Sequence, residues 1–209
     1  MKQVLFIGKI IKGNENMTTP VIETSRLFLR EIRPTDYIDM FEYAQLQNVG
    51  PVAGWEPHRS VSDTKSVIQM FRDKKKYGQL PTFAIIHKAE NRMIGTVELH
   101  TYVRGYKAEL GYTVNPNYWG KGYAYEAAKA IIRWGFNYLG LKRIECSTFV
   151  TNNQSKRICE KLKLTYEGIR KNGYMLYDGS IHDVYAYALT DEEFQTIYSN
   201  DRDYWDIFE

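Results

Sequence analysis

The spacing of apolar residues in the first half of the chain predicts strands alternating with helices. Period-two patterns rich in β-branched and aromatic residues indicate strands, over residues 21–32, 82–87, 93–103 and 106–114. Apolar residues at helical spacing indicate two helices, over about residues 34–47 and over residues 62–76 with Ser62 as cap. The segment between these helices, residues 48–59, is rich in glycine and proline and is predicted to be a loop.

The second half of the chain continues the alternation. A long helix over residues 121–139 stops at Gly140, a residue suited to a left-handed helix end, and a shorter helix covers residues 153–162. Strands are predicted over residues 143–149, 164–176 and 181–189. A capping box that begins at Thr190 starts a last helix. The order β-α-α-β-β-β-α-β-α-β-β predicts one α/β domain on a mixed sheet with a single βαβ crossover.

Composition limits the classes of function. At 209 residues with 44% apolar content, the chain can bury one substantial core, so one domain is expected. The net charge of +3 is mild, and the only basic run, residues 74–76, lies at a predicted helix end, so no nucleic-acid partner is expected. The apolar runs are too short to cross a membrane. Two cysteines without a disulfide framework fit a reducing cytoplasm.

The segment after the strand that ends at Val114 is the most informative one for chemistry. It carries Gly120 and Gly122 between a predicted strand and a predicted helix. A helix start leaves backbone N–H groups unpaired, with the positive end of the helix dipole behind them, and glycines let a ligand approach the backbone closely. A phosphate-binding loop is therefore predicted. A Walker loop is excluded by Asn115 and Gly122, and a dinucleotide fingerprint by Tyr125, because each stands where that motif needs another residue.

Three blocks of sequence point to a different pyrophosphate ligand. The loop reads Trp119-Gly-Lys-Gly-Tyr-Ala124, followed after one residue by Glu-Ala. Downstream stands Asn152-Asn-Gln-Ser155 and then Glu-Lys, and the opening segment at 23–30 reads Glu-Thr-Ser-Arg-Leu-Phe-Leu-Arg. These blocks resemble the GNAT superfamily of acetyl-coenzyme A-dependent N-acyltransferases, in particular its branch of ribosomal-protein N-terminal (alanine/serine) acetyltransferases. The resemblance implies the GNAT fold, a single α/β domain with a mixed, mostly antiparallel sheet flanked by helices.

The same resemblance implies an acetyltransferase that uses acetyl-coenzyme A as co-substrate, without a metal, by direct attack of a primary amine in a ternary complex. The residues implied to hold the pyrophosphate are Trp119, Gly120, Lys121, Gly122, Tyr123 and Ala124. Backbone N–H groups near Thr113 and Val114, where the strand splays, would polarise the thioester carbonyl. Asn152 would hydrogen-bond the pantetheine arm.

Removal of the amine proton needs a base, because a primary amine is mostly protonated at neutral pH. Glu109 is the first candidate, since the resemblance places a carboxylate on this strand in that role. Strand alternation puts Glu109 on the same face as Gly111 and Thr113. Glu98 on the preceding strand is the second candidate and His100 a third. The alternative for either carboxylate is a salt bridge on a solvated sheet face.

The departing thiolate needs a hydrogen-bond or proton donor. Many superfamily members place a tyrosine in the helix after the Asn152 block, but that position here is Cys159. The branch resembled here carries a serine, which matches Ser155, so Ser155 is the expected contact of the sulfur. The alternative role of Ser155 is a helix-start cap. Cys159 is expected to be a buried structural cysteine.

The chain is predicted to divide into an N-terminal extension (1–20), an acetyltransferase domain (21–198) and a tail (199–209). The tail alternates acidic with aromatic residues, which indicates docking on the protein's own surface or on a partner subunit, because disordered tails are usually poor in aromatics. Monomer and homodimer both stay open.

Two kinds of acceptor amine also stay open. One is a protein N-terminus, including that of a ribosomal protein, and the other is a small molecule. The loop 48–59 and the hairpin around Asp178 are expected to line the acceptor cleft. The alternative function, from another class, is a non-catalytic acyl-coenzyme A-binding regulatory module. The missing tyrosine permits that alternative, whereas Glu109 and Ser155 argue against it.

Overall fold

The structure of the protein, a computed structural model, describes residues 19–208. Its strands are β1 (Val21–Thr24), β2 (Leu27–Glu31), β3 (Thr82–His87), β4 (Arg92–Val103), β5 (Lys107–Val114), β6 (Arg143–Phe149), β7 (Thr165–Met175), β8 (Ile181–Thr190) and β9 (Trp205–Phe208). Its α-helices are α1 (Tyr37–Ala44), α2 (Gly50–Ala53), α3 (Val61–Asp73), α4 (Tyr123–Asn137), α5 (Asn153–Lys161) and α6 (Asp191–Tyr198). Most of the predicted N-terminal extension, residues 1–18, lies outside the described residues, as does Glu209.

The strands of the described residues form one sheet, in the order β7-β8-β6-β5-β4-β3-β2-β1-β9. Every neighbouring pair is antiparallel except β5 and β6, which are parallel. A parallel pair needs a crossover connection, and α4 supplies it. The predicted fold class, an α/β domain with a mixed and mostly antiparallel sheet flanked by helices, is confirmed.

Helices cover both faces of this sheet. α4, α5 and α6 lie on one face, over the larger core, where Phe136 of α4 stacks on Phe194 of α6 with 4.6 Å between the ring centroids. α1 and α3 lie on the other face, where Met40 and Ile68 pack against β3. Complete burial of a side chain such as Ile131 stabilises the fold by about 1.5–3 kcal/mol, and α4 contributes several. The start of α4 is thereby fixed beside β5.

The prediction of one strand over residues 21–32 is wrong. The segment is a hairpin, β1 and β2, which turns at Ser25 and Arg26. Thr24 sets the turn: its Oγ1 accepts the Leu27 N–H at 3.1 Å and donates to Glu126 of α4 at 2.7 Å. The reversal is therefore stabilised by a residue far away in the sequence, which the strand pattern does not reveal.

An additional short helix and a shifted start of α3 also differ from the prediction. The loop over residues 48–59 contains the short helix α2, which ends at Gly54 with φ of 94°. α3 begins after Ser60 rather than Ser62. Ser60 accepts the Asp63 N–H at 3.2 Å while the Asp63 carboxylate accepts the Ser60 N–H at 3.1 Å, a reciprocal cap that Ser62 has no partner to form.

The tail folds back onto α4 and the far edge of the sheet. β9 pairs antiparallel with β1, so the tail supplies the last strand. Ahead of it, Asp201 forms ion pairs with Lys129 and, at 2.8 Å, with Arg133. These two cations of α4 are only 8% and 5% exposed. The Arg133 guanidinium also lies over the Trp205 ring. The tail thus neutralises two charges that α4 buries.

Asp201→Asn is expected to lower the free energy of unfolding by about 1–3 kcal/mol at pH 7, because the nearly buried Arg133 loses its counter-charge and Lys129 keeps only Asp203. Burial opposes ionisation of Asp201, but Lys129 and Arg133 outweigh it and hold the Asp201 pKa below its usual value. The contribution is therefore present at neutral pH and is lost as the pH falls through that lowered pKa. Urea unfolding of both proteins measures it.

The matched control is Asp206→Asn, which removes the same charge from an exposed position in β9. It is expected to change stability by no more than about 0.5 kcal/mol. Equal losses in the two variants would contradict the counter-charge explanation.

Candidate active site

A gap opens in the sheet between its two parallel strands. β5 and β6 pair only as far as Glu109 opposite Glu145. Beyond that point β5 stays paired with β4, and β6 with β8, so residues 110–114 and 146–149 diverge. We call the space between these two segments the β5–β6 gap. Backbone groups along its edges have no strand partner and are available to a ligand.

Strand alternation assigns the backbone donors of β5. Asn115 donates its N–H to the Ile94 carbonyl, towards β4, at 2.8 Å. Because successive residues of a strand direct their N–H groups to opposite sides, the N–H of Thr113 also faces β4, whereas those of Tyr112 and Val114 face the β5–β6 gap. Of the two residues predicted to polarise a carbonyl, only Val114 has its N–H in position to do so.

The segment 119–124, which we call the 119–124 loop, joins β5 to α4. Gly120 and Gly122 have φ of 74° and 83°, the left-handed region that glycine adopts without strain. α4 begins after Gly122 with no side chain capping its first N–H groups. By contrast α3, α5 and α6 each have a capping side chain. The bare start of α4 leaves its N–H groups and dipole available to an anion.

The side chains of the 119–124 loop serve mainly to hold its shape. The Trp119 indole N–H donates to the Val114 carbonyl at 2.6 Å, which ties the loop to the end of β5. The Tyr123 hydroxyl contacts His87 Nε2 at 2.9 Å in the interior. Lys121 donates to the Asn117 carbonyl at 3.1 Å and is exposed. The groups that Tyr123 and Ala124 leave available to a ligand are therefore their backbone N–H groups.

Glu126, in the first turn of α4, places a carboxylate near the uncapped start of that helix. Arg26 neutralises it: its Nε donates to Glu126 at 2.7 Å, and its Nη1 donates to the Lys121 carbonyl at 2.9 Å. The carboxylate therefore anchors the β1–β2 turn to α4. A cavity of about 270 Å³ lies behind this ion pair, bounded on its far side by tail residues such as Tyr204.

The three candidate bases lie together on the sheet face opposite α4. His100 is directly opposite Glu109, and Glu98 is opposite Gly111. A side chain at Gly111 would meet the His100 ring at 3.1 Å, so this glycine leaves the floor between the candidates open. Lys74 and Thr82 both bind the Glu98 carboxylate. Among residues 19–208 the Glu109 carboxylate has no hydrogen bond or ion pair, so of the two carboxylates it is the one free to take a proton.

Asn152 and Ser155 lie at the start of α5, beside the gap. Asn152 caps α5 by accepting the Ser155 N–H at 3.0 Å, and its amide donates to the Val52 carbonyl at 3.2 Å. Ser155 is therefore not the cap. Its Oγ lies 2.8 Å from the hydroxyl of Tyr112. Cys159 is fully buried, with its sulfur 3.6 Å from that of Cys146, so it packs in the core.

Tyr112 is the residue of this site that the sequence reasoning missed. Alternation does predict that Tyr112 faces away from Glu109, towards α5, but its contact with Ser155 crosses 43 positions of sequence. Burial raises the pKa of the Tyr112 phenol well above its usual value. The phenol therefore keeps its proton throughout the neutral range. Tyr112 of β5 thus places a tyrosine hydroxyl beside α5, the helix in which Cys159 stands at the position of the expected tyrosine.

The segments predicted to line the acceptor cleft meet at the mouth of the gap. The Tyr174 hydroxyl, near the end of β7, donates to the Gly54 carbonyl at 3.1 Å. Next to it the β7–β8 hairpin exposes large apolar side chains, among them Met175 at 68% and Ile181 at 58%. His58 instead contacts Thr64 of α3 at 2.8 Å.

Residues 19–208 contain no cluster of three or more His, Cys, Asp and Glu side chains that could hold a metal ion. None of their helices has the length and apolar character needed to span a membrane.

Comparison with known proteins gives concordant matches. The family model described as an acetyltransferase (GNAT) domain matches residues 26–165. The chain is 33% identical to the uncharacterised N-acetyltransferase p20 of Bacillus licheniformis, over 82% of this chain and 96% of that protein. It is 28% identical to the ribosomal protein uS5-alanine N-acetyltransferase of Escherichia coli, over 81% and 90%. A GNAT-family acetyltransferase structure from Bacillus anthracis superposes with a TM-score of 0.74 at 28% identity, over 83% of this chain and 99% of that one.

Proposed function

The chain belongs to the GNAT family of acetyl-coenzyme A-dependent N-acetyltransferases, and we propose that it acetylates the α-amine of a protein N-terminus by direct attack in a ternary complex. One observation carries the proposal. The β5–β6 gap joins the bare start of α4 on one side of the sheet to the free carboxylate of Glu109 on the other. A donor held at α4 can thus present its thioester to an amine beside Glu109.

The donor is held by backbone groups. The N–H groups of the 119–124 loop and of the first turn of α4 bind the pyrophosphate, where glycine lets phosphate oxygens come close. The Val114 N–H, which faces the β5–β6 gap, hydrogen-bonds the thioester carbonyl and stabilises the charge that develops on its oxygen. Bound acetyl-coenzyme A supplies the activated acetyl group.

Glu109 removes the proton of the incoming amine, directly or through one water molecule. It is favoured over Glu98, because Lys74 and Thr82 already bind the Glu98 carboxylate. A carboxylate held close to the bound ammonium group takes its proton and leaves the neutral amine that attacks the thioester. Overall, amine and thioester give amide and thiol.

Ser155 hydrogen-bonds the sulfur as it departs. The structure favours this role over a cap, since Asn152 performs the capping. Ser155→Ala is expected to lower kcat by about 10-fold to 10²-fold, the low end of acid-catalysis effects, because water partly replaces a hydroxyl. Cys159→Ala is the comparison: it should lower the melting temperature and leave kcat nearly unchanged, because Cys159 packs against Cys146. The reverse pattern would make Cys159 the sulfur contact.

Two features support a polypeptide acceptor. The rim beside the gap carries exposed apolar side chains on the β7–β8 hairpin, a surface on which several residues of an extended peptide can lie. The relative from Escherichia coli is named as an alanine N-acetyltransferase of ribosomal protein uS5. A small amine would not need that apolar rim.

Thiol release from acetyl-coenzyme A tests the proposal. The panel pairs short peptides beginning with alanine or serine, each with its Nα-acetylated counterpart, and adds small primary amines. We expect many turnovers with free peptide N-termini and none above hydrolysis with blocked ones. Turnover with small amines alone would overturn the polypeptide acceptor. Binding of acetyl-coenzyme A without acceptor-dependent thiol release would leave the non-catalytic binding module instead.

A further inference from the structure

The hydroxyls of Tyr112 and Ser155 form an isolated pair beside the β5–β6 gap. They lie 2.8 Å apart, a normal distance for a hydrogen bond between two hydroxyls. Tyr112 stands where β5 has already parted from β6, and its ring packs against the main core. The cysteine sulfurs of β6 and α5 are close neighbours of this pair. The pair is therefore set in a weakly polar environment next to the edge that faces the gap.

The direction of this hydrogen bond decides what Ser155 can do. Each hydroxyl has one proton, so only one of the two donates to the other. If Ser155 donates to Tyr112, the lone pairs of Ser155 are what remain to face a leaving sulfur, and they repel its developing negative charge. If Tyr112 donates, the Ser155 proton is free to point at the sulfur. The charge on the sulfur favours the second arrangement.

The positions of both hydroxyls are fixed by the surrounding structure. Ser155 is the third residue of α5, and its N–H is bound to Asn152, which fixes the backbone from which its Oγ projects. Tyr112 is held by β5 and by ring packing. Because burial raises the pKa of the Tyr112 phenol, its proton stays available to Ser155 Oγ near neutral pH in every turnover.

We propose that Tyr112 is a positioning residue, whose hydroxyl donates to Ser155 Oγ and thereby directs the Ser155 proton at the leaving sulfur. The inference rests on the proposed function. The amine nitrogen bonds to the carbonyl carbon, the C–S bond breaks with its electron pair on sulfur, and the surplus amine proton passes to Glu109. Tyr112 and Ser155 keep their protons, and the thiolate takes its proton from solvent.

A double-mutant cycle on kcat tests this inference. Tyr112→Phe keeps the ring and removes only the hydroxyl, so it should lower kcat about 3-fold to 10-fold, the effect of one hydrogen bond. The KM for acetyl-coenzyme A should stay unchanged, and stability should fall by no more than about 0.5–1.5 kcal/mol, the contribution of one hydrogen bond. In the Ser155→Ala background, the same Tyr112→Phe change should cost nothing more, because the hydroxyl it positions is gone.

Tyr166→Phe is the matched control. It removes a phenol hydroxyl from a half-exposed ring on β7 that does not contact Ser155, and it should leave kcat unchanged. A Tyr112→Phe enzyme as fast as the wild type, or losses that multiply in the double variant, would overturn the positioning role while the proposed function stands. A wild-type protein that releases no thiol with any amine would overturn both.

Discussion

Gly120→Val is expected to weaken acetyl-coenzyme A binding by about 10²-fold or more. The loop donates backbone N–H groups to a charged ligand, and each such hydrogen bond contributes about 1.5–3 kcal/mol, so losing close approach at two of them suffices. A Cβ at Gly120 would meet no protein atom within 4 Å, so the valine would stand in open space beside the start of α4, where the pyrophosphate is proposed to bind. Calorimetric titration with acetyl-coenzyme A measures the change.

The chain offers a control with the same backbone strain. Gly140, just past the far end of α4, has φ of 62° against 74° for Gly120, and a Cβ there would also meet nothing within 4 Å. Gly140→Val should therefore lose about as much stability as Gly120→Val, about 1–2 kcal/mol. It should bind acetyl-coenzyme A with normal affinity. A folded Gly120→Val protein with unchanged affinity would refute the assignment of the 119–124 loop.

Glu109→Gln is expected to cut kcat by about 10²-fold at neutral pH, since the amide cannot accept the amine proton. The deficit should shrink as the pH rises, because more of the acceptor is then neutral before it binds. Steady-state kinetics across pH with saturating acetyl-coenzyme A measure both effects.

Glu98→Gln is the informative comparison. Its carboxylate already pairs with Lys74 and Thr82, so it should retain most of the activity and lose some stability. If Glu109→Gln were nearly normal at pH 7, the base would be Glu98, His100 or solvent.

Much of the fold follows from local sequence signals. β6 was predicted with its observed bounds, and the capping box at Thr190 and Glu193 starts α6 as expected. Both rest on neighbouring residues, whose alternation or capping chemistry is complete within a few positions. The same is true of the glycines in the 119–124 loop, because glycine adopts a positive φ without the strain that a side chain adds.

What sequence reasoning missed depends on distant contacts. The turn between β1 and β2 is stabilised by the hydrogen bond from Thr24 to Glu126. β9 forms by pairing with the edge strand β1, which is distant in the sequence. Tyr112 was overlooked for the same reason. Its place on the α5 side of β5 is predictable, but nothing local indicates that its hydroxyl meets Ser155. Local pattern predicts the groups that are proposed to bind the donor, whereas the geometry around Ser155 depends on the folded chain.

A crystal structure of the complex with acetyl-coenzyme A tests the central claim most directly. The account predicts the pyrophosphate within about 3 Å of the backbone N–H groups of the 119–124 loop. It also predicts the thioester in the β5–β6 gap, with its carbonyl on the Val114 N–H and its sulfur in reach of Ser155 Oγ. A pyrophosphate bound instead in the cavity behind Arg26, or a thioester outside the gap, would contradict it.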